Sequence, residues 1–136
     1  MSDIKCDPYF FFKGDCRQAM EFYQGIFGGE LIFKTYADFD MVSDDRPAEQ
    51  IMHAALLGGA VDIMGSDTPQ ASEKAAKVSI SLMGTDKAKM AKIFEGLSQD
   101  VEVIYPLKQE VWGDTFGSVV DKFSIEWLIN ISAPEA

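Results

Sequence analysis

The chain has 136 residues, 47% of them apolar and 12% aromatic, with a formal net charge of −10. That length suits one domain with a real core, and the apolar fraction excludes a disordered chain. The acidic balance, without any cluster of Lys or Arg, argues against nucleic acid as a partner, and no apolar run is long enough to span a membrane.

MSDIKCD at the N-terminus lacks the apolar core of a signal peptide. Cys6 and Cys16 make neither a C-x-x-C motif nor a disulfide framework. Ordinary thiols and a cytoplasmic setting are the expectation.

Tyr9 to Phe12 reads as a buried strand, followed after a tight turn by an amphipathic helix. Asp15 is placed to cap that helix, with Gln18 completing a capping-box pattern. Ala19, Phe22, Tyr23, Ile26 and Phe27 fall on one side at helical spacing, and Gly28-Gly29 can end the helix in the left-handed conformation. Glu30–Ala37 has the content of a strand. The acidic stretch Asp38–Ala48, with Pro47, reads as a loop. Gln50–Leu57 and Ala60–Met64 flank Gly58-Gly59, a two-residue hairpin signal. Gly65–Ala76 reads as a polar connector.

A shift of 71 residues then lays Asp15 on Asp86, Tyr23 on Phe94, Gly25 on Gly96 and Pro8 on Ser79. The second half repeats the order: strand Val78–Met83, helix Asp86–Leu97, strand Val101–Tyr105, and loop Pro106–Asp114 holding Trp112 and Gly113. Thr115–Asp121 and Ile125–Ile131 close it as a hairpin whose Lys122-Phe123-Ser124 turn lacks glycine. Such coincident roles point to duplication. The expectation is one α+β domain over residues 1–136, made of paired βαβββ modules at 4–66 and 77–132.

Alternation separates the strand faces. Val78, Ile80 and Leu82 oppose Ser79, Ser81 and Met83, while Trp127, Ile129 and Ile131 oppose Glu126, Leu128 and Asn130. Uniformly apolar faces should carry the helices. The mixed faces suit a small-molecule cleft, and equally a polar core or a face covered by a second subunit.

PYFFFKGDCRQAMEFYQGIFGGEL, the MHAALLGG-AVDIMGSD hairpin and the terminal WGDTFGSVVDKFSIEWLIN resemble the PhnB-like branch of the vicinal oxygen chelate superfamily, which includes glyoxalase I, bleomycin-resistance proteins and extradiol dioxygenases. The resemblance runs from about Pro8 to Asn130. It implies glyoxalase-like curved mixed sheets around a cleft, assembled as a homodimer. In metal-dependent members a histidine sits seven residues before the capping aspartate, and a glutamate lies in the final strand of each module. Here those positions fall on Pro8, Ser79, Leu128 and, on or beside it, Met64. None offers an imidazole or carboxylate, so no metal and no other cofactor is expected. The ubiquinone-methyltransferase label often given to PhnB-like proteins finds no glycine-rich nucleotide turn here.

His53, the only histidine, is the candidate general base or hydrogen-bond donor. The alternative is a structural strand histidine. Asp62 shares Met64's parity, which would put it beside His53 as an acid/base pair, or outward as a solvated carboxylate. Phe10 and Phe12 share Pro8's parity and would line the first cleft, with core packing as the alternative. Trp112 could close over an apolar ligand, or cap the core or a dimer contact. Met64, Ser79, Ser81, Leu128 and Asn130 complete the candidate substrate-binding set. The leading expectation is metal-free binding of a small, partly apolar molecule, by sequestration or with proton transfer through His53. One alternative is a metal-dependent lyase or isomerase using His53, Asp62 and Glu126; another is a structural or regulatory dimeric module without a ligand.

Overall fold

The computed structural model describes residues 5–69 and 78–133, and the described chain holds eight strands and two α-helices in the expected order. Two units, Met1–Ala76 and Lys77–Ala136, each carry one α-helix and one four-stranded mixed sheet, an α+β arrangement, and the first adds a short 3-10 turn at Ala37–Phe39. Residues 70–76 of the expected connector, and the module bounds at 4 and 77, lie outside the described residues.

In the first unit β1 (Tyr9–Phe12) leads into α1 (Cys16–Phe27), then β2 (Glu30–Thr35), β3 (Ile51–Leu57) and β4 (Ile63–Asp67). The sheet order is β1-β4-β3-β2, with β1 and β4 parallel and the other pairs antiparallel. α1 buries Cys16, Ala19, Met20, Tyr23 and Phe27, a stripe at helical spacing. Burial without polar partners pushes the Cys16 thiol up, and the neighbouring Asp67 carboxylate adds to it. Gly28 and Gly29 do adopt positive φ after the helix.

Asp15 does not cap α1, for its side chain makes no capping hydrogen bond. The work falls to Asp67, which sequence reading placed in a connector and which lies at the end of β4. This carboxylate is 1% exposed. Its Oδ1 accepts from the backbone N–H of Gly14 and of Cys16, both at 2.9 Å, and its Oδ2 from Ile51 N–H at 2.9 Å. The Tyr36 hydroxyl donates to its carbonyl oxygen. One side chain thus ties the helix start to the entry of β3. The Gly58-Gly59 hairpin is also wider than two residues, because β4 starts only at Ile63. Gly59 instead lies against the end of α1, where an added Cβ would come within 2.5 Å of the Phe27 and Gly28 carbonyl oxygens.

The second unit runs β5 (Ile80–Gly84), α2 (Lys87–Leu97), β6 (Val103–Gln109), β7 (Thr115–Val120) and β8 (Glu126–Ile131), in sheet order β5-β8-β7-β6. Here the expected cap forms: Asp86 accepts from Lys89 N–H at 3.1 Å. Trp127 and Ile129 are fully buried, Ile131 nearly so, and Met90, Ile93, Phe94 and Leu97 are the buried residues of α2. Strand β6 continues past Tyr105, through Pro106, to Gln109. Proline is tolerated because β6 is an edge strand, and the ladder to β7 is irregular on either side of Tyr105. The glycine-free turn is held by Asp121, 2% exposed. It accepts from Phe123 and Ile125 N–H at 2.8 and 3.1 Å and from Trp127 Nε1 at 2.8 Å; Ser124 takes φ 71° there.

Candidate functional site

The two strand–helix units differ by one residue where it matters. Three residues, Lys13–Asp15, join β1 to α1, but only Thr85 and Asp86 join β5 to α2. The extra residue is absorbed at Gly14, with φ 109°. Counted back from the aspartate, the side chains turned toward the helix therefore fall on opposite parity in the two units. In the second unit Ile80, Leu82 and Gly84 face the helix, as the contact of a Gly84 Cβ with Met90 shows. In the first unit Phe10 and Phe12 do.

This corrects the expected site. Phe10 and Phe12 are 6% and 4% exposed, and Phe10 packs edge-on against Tyr23 of α1 at 5.9 Å between ring centroids. They belong to the core. Tyr9 and Phe11 take their place on the face away from the helix, 37% and 43% exposed. Sequence reading missed both, since four consecutive aromatics hide the alternation. The length of the Lys13–Asp15 linker was the signal that could have found them.

Pairing register places Tyr9, Met64, Ala55 and Ile32 across one line of that face, with His53 beside Lys34 on the next. The Tyr9 hydroxyl and His53 Nδ1 are hydrogen-bonded at 3.2 Å, the direction set by the imidazole tautomer. Their rings lie 5.8 Å apart, and the Phe11 ring lies 5.2 Å from that of Tyr9. The result is an aromatic and aliphatic surface carrying one imidazole and one phenol, with the Lys34 ammonium at its edge and the buried Ser66 hydroxyl opposite Phe11.

Asp62 does not pair with His53. It sits in the β3–β4 turn, where Oδ2 accepts from Lys5 Nζ at 2.6 Å and Oδ1 from Gly58 N–H at 3.0 Å. The Lys5 bond first, and the Gly58 bond second, hold its carboxyl below the usual range. The same pairing, helped by Asp7, raises Lys5. A carboxylate so engaged is a turn clamp rather than a proton relay.

In the second unit Ser81, Leu128, Met83 and Asn130 share the face away from α2. The Ser79 hydroxyl donates to Glu126. Asn130 Nδ2 donates to Asp114 at 3.1 Å, and Ala133 N–H to the same carboxylate at 3.0 Å. Those two bonds, the backbone one foremost, lower the Asp114 pKa. Trp112 is 63% exposed at the tip of the β6–β7 turn, so it does not cap the core of its unit.

Does the donor set fit a divalent cation? The positions to which the family resemblance assigns ligands hold Pro8, Ser79, Met64 and Leu128, none with an imidazole or carboxylate. By strand register Asp7 rather than Pro8 corresponds to Ser79, and its carboxylate is paired with Lys5. The alternative trio fares no better, with Asp62 bonded to Lys5 and Glu126 to Ser79. Among the described residues no three His, Cys, Asp or Glu side chains converge on a point. The residues do not fit a metal centre.

Residues 5–129 match the model of the glyoxalase/bleomycin resistance protein/dioxygenase superfamily. The crystal structure of protein PA1353 from Pseudomonas aeruginosa is similar over 97% of this chain and 100% of that one, with 31% identity and a TM-score of 0.84. Protein YjdN of Escherichia coli K12 is 26% identical over 91% of this chain and 92% of its own length. A PhnB protein from Bacillus cereus shares the fold, with a TM-score of 0.71 at 18% identity over 95% of this chain and all of that one.

Proposed function

The chain belongs to the glyoxalase/bleomycin resistance protein/dioxygenase superfamily, and from that premise we propose that it binds a small, partly apolar molecule, without a metal ion, on the helix-free face of its first sheet. The observation that carries this is the Tyr9–His53 pair set in an exposed apolar surface, with Tyr9, Phe11 and Ile32 each more than a third exposed. An apolar floor with few polar groups is the make-up of a ligand site. Met64 of the sequence-derived set lies on that floor, in register with Tyr9. His53 orients the ligand or moves a proton at an acidic position of it, with Tyr9 holding the imidazole. In the second unit, taken by itself, Ser81, Leu128 and Asn130 share the face away from α2, with Ser79 just before β5 and Trp112 in the β6–β7 turn, and they are the candidate contacts of that unit.

The methyltransferase wording in the name of the Bacillus cereus protein is not carried over, because no glycine-rich turn for a nucleotide-type donor accompanies β1 or β5. A homodimer is part of the proposal. So is a reducing, cytoplasmic setting, supported by Cys6 and Cys16 both being free thiols.

The test is native mass spectrometry of protein taken directly from expressing cells, with each adduct released and identified. Wild type is expected to carry an adduct that Ile32→Lys loses, because a cation is placed on the apolar floor. Retention by His53→Ala indicates sequestration; turnover of the released compound by wild type and not by His53→Ala indicates proton transfer. A wild type without adduct, binding anilinonaphthalene sulfonate no better than Ile32→Lys does, overturns the reading. Light scattering of the same samples gives the subunit number.

A further inference from the structure

The apolar floor of the first sheet has two unlike ends. Its central row is Tyr9, Met64, Ala55 and Ile32. Two residues earlier along β1 and β4 stand Asp7, just before β1, and Asp62, in the β3–β4 turn. Both carboxylates are engaged by Lys5 Nζ, at 3.3 and 2.6 Å. Two residues on in the other direction, about 7 Å away, the face carries Phe11 opposite Ser66 and His53 opposite Lys34. That second row holds an ammonium, an imidazole and a hydroxyl, and no carboxylate.

The strand neighbours of these residues fix which way the row faces. Phe33 lies under the Arg17 guanidinium of α1, whose Cζ is 4.5 Å from the ring centroid, and a Cβ on Gly65 would meet Phe12 and Cys16. Lys34 and Ser66, one residue along from each, therefore share the open face with Tyr9. Lys34 is exposed, and its ammonium makes no ion pair among the described residues. The adjacent Asp38 carboxylate instead accepts from Thr35 N–H at 2.8 Å. The Tyr9 hydroxyl occupies Nδ1 of His53 and leaves Nε2 without a partner among the described residues. When Tyr9 donates to Nδ1, the neutral ring carries its proton on Nε2 and can donate it to an oxyanion.

An apolar row with engaged carboxylates at one end, and an unpaired ammonium beside an imidazole at the other, matches a molecule that is apolar along its body and acidic at its head. One fixed cation answers one negative charge, and the net charge of −10 opposes an anion that carries more. We propose that the first sheet takes a monocarboxylate, its head held between Lys34 Nζ and His53 Nε2 and its apolar body over Tyr9, Met64 and Ile32. This rests on the reading of that sheet as a ligand floor, and adds to it the class of the ligand and the direction in which it lies.

The experiment titrates sodium octanoate, 1-octanol and octyl phosphate separately into the full chain at about pH 8. NMR follows the ring resonances of Tyr9 and of His53, the only histidine. An apolar surface without a cation prefers the alcohol, since a carboxylate resists leaving water. Octanoate is nonetheless expected to bind wild type about threefold to fivefold tighter than octanol. Lys34→Met, which keeps an apolar stem of similar length, should reverse that order and leave octanol unchanged, whereas Lys34→Arg should keep the preference. Octyl phosphate, a dianion at that pH, should bind no better than octanoate. Octanol binding wild type as tightly as octanoate overturns the carboxylate assignment and leaves the apolar floor standing; saturable binding of neither overturns both. A preference for octanoate that survives in Lys34→Met overturns the placement of the head group, and tighter binding of octyl phosphate overturns the ligand class.

Discussion

Replacing Asp67 by asparagine tests whether one buried carboxylate holds the first unit together. The side chain is 1% exposed and accepts three backbone N–H bonds, from Gly14, Cys16 and Ile51, each 2.9 Å long. Asparagine has nearly the same volume, so no cavity opens. It keeps one acceptor oxygen, which the Gly14 and Cys16 donors can share as they now share Oδ1. The other oxygen becomes an NH2 facing the Ile51 N–H, a donor against a donor. Losing a bond to a charged acceptor and orphaning a buried amide costs about 2–3 kcal/mol. Asp67→Ala orphans all three donors and removes volume besides, so about 4 kcal/mol or more is expected. Against a total stability of about 5–15 kcal/mol, the alanine variant stands near the edge of folding. Urea unfolding followed by far-ultraviolet circular dichroism gives both values, and hydrogen exchange should show the Ile51 amide losing protection first in Asp67→Asn. An asparagine variant within about 0.5 kcal/mol of wild type would refute the argument, because a buried charge-assisted bond cannot be lost so cheaply.

Two further expectations follow from side-chain partners. Asp15→Ala should change stability by no more than about 0.5 kcal/mol, as its carboxylate caps nothing, whereas Asp86→Ala should cost about 1 kcal/mol; paired urea midpoints compare them. The Lys5–Asp62 pair should be pH-dependent in a stated direction. Asp62 is depressed below its usual 3.8, so its contribution is complete above about that pH and disappears as pH falls through the lower folded value. Lys5 is raised above 10.5, so its share is complete below that pH and is lost as pH rises through the higher folded value. The urea-midpoint gap between wild type and Asp62→Asn should therefore narrow from about pH 6 to about pH 3, and should shrink in 1 M salt because the pair is exposed.

Much of the fold is readable from local pattern. Helical spacing of Ala19, Tyr23 and Phe27, the second cap at Asp86 and the buried side of Trp127–Ile131 all appear in the chain itself. What escaped was set at a distance. Asp67 displaces Asp15 as the clamp of α1 from 51 residues downstream, and no local rule sees it. Pro106 argued for a loop, yet β6 is an edge strand and needs no donor there. Register puts His53 and Met64 on one face with Tyr9, whereas Phe10 and Phe12 were chosen over Tyr9 and Phe11 because period two gives two answers and linker length chooses between them.

That choice has a wider bearing on architectures built of two like units. Lengthening one strand-to-helix joint by a single position, with a glycine to take up the turn, rotates a whole strand by half a period while leaving its parallel ladder intact. Phenylalanines that would have been offered to solvent become interior packing, and a phenol comes into reach of the lone imidazole. Two halves of like topology can thus present unlike chemistries through one added residue in a joint.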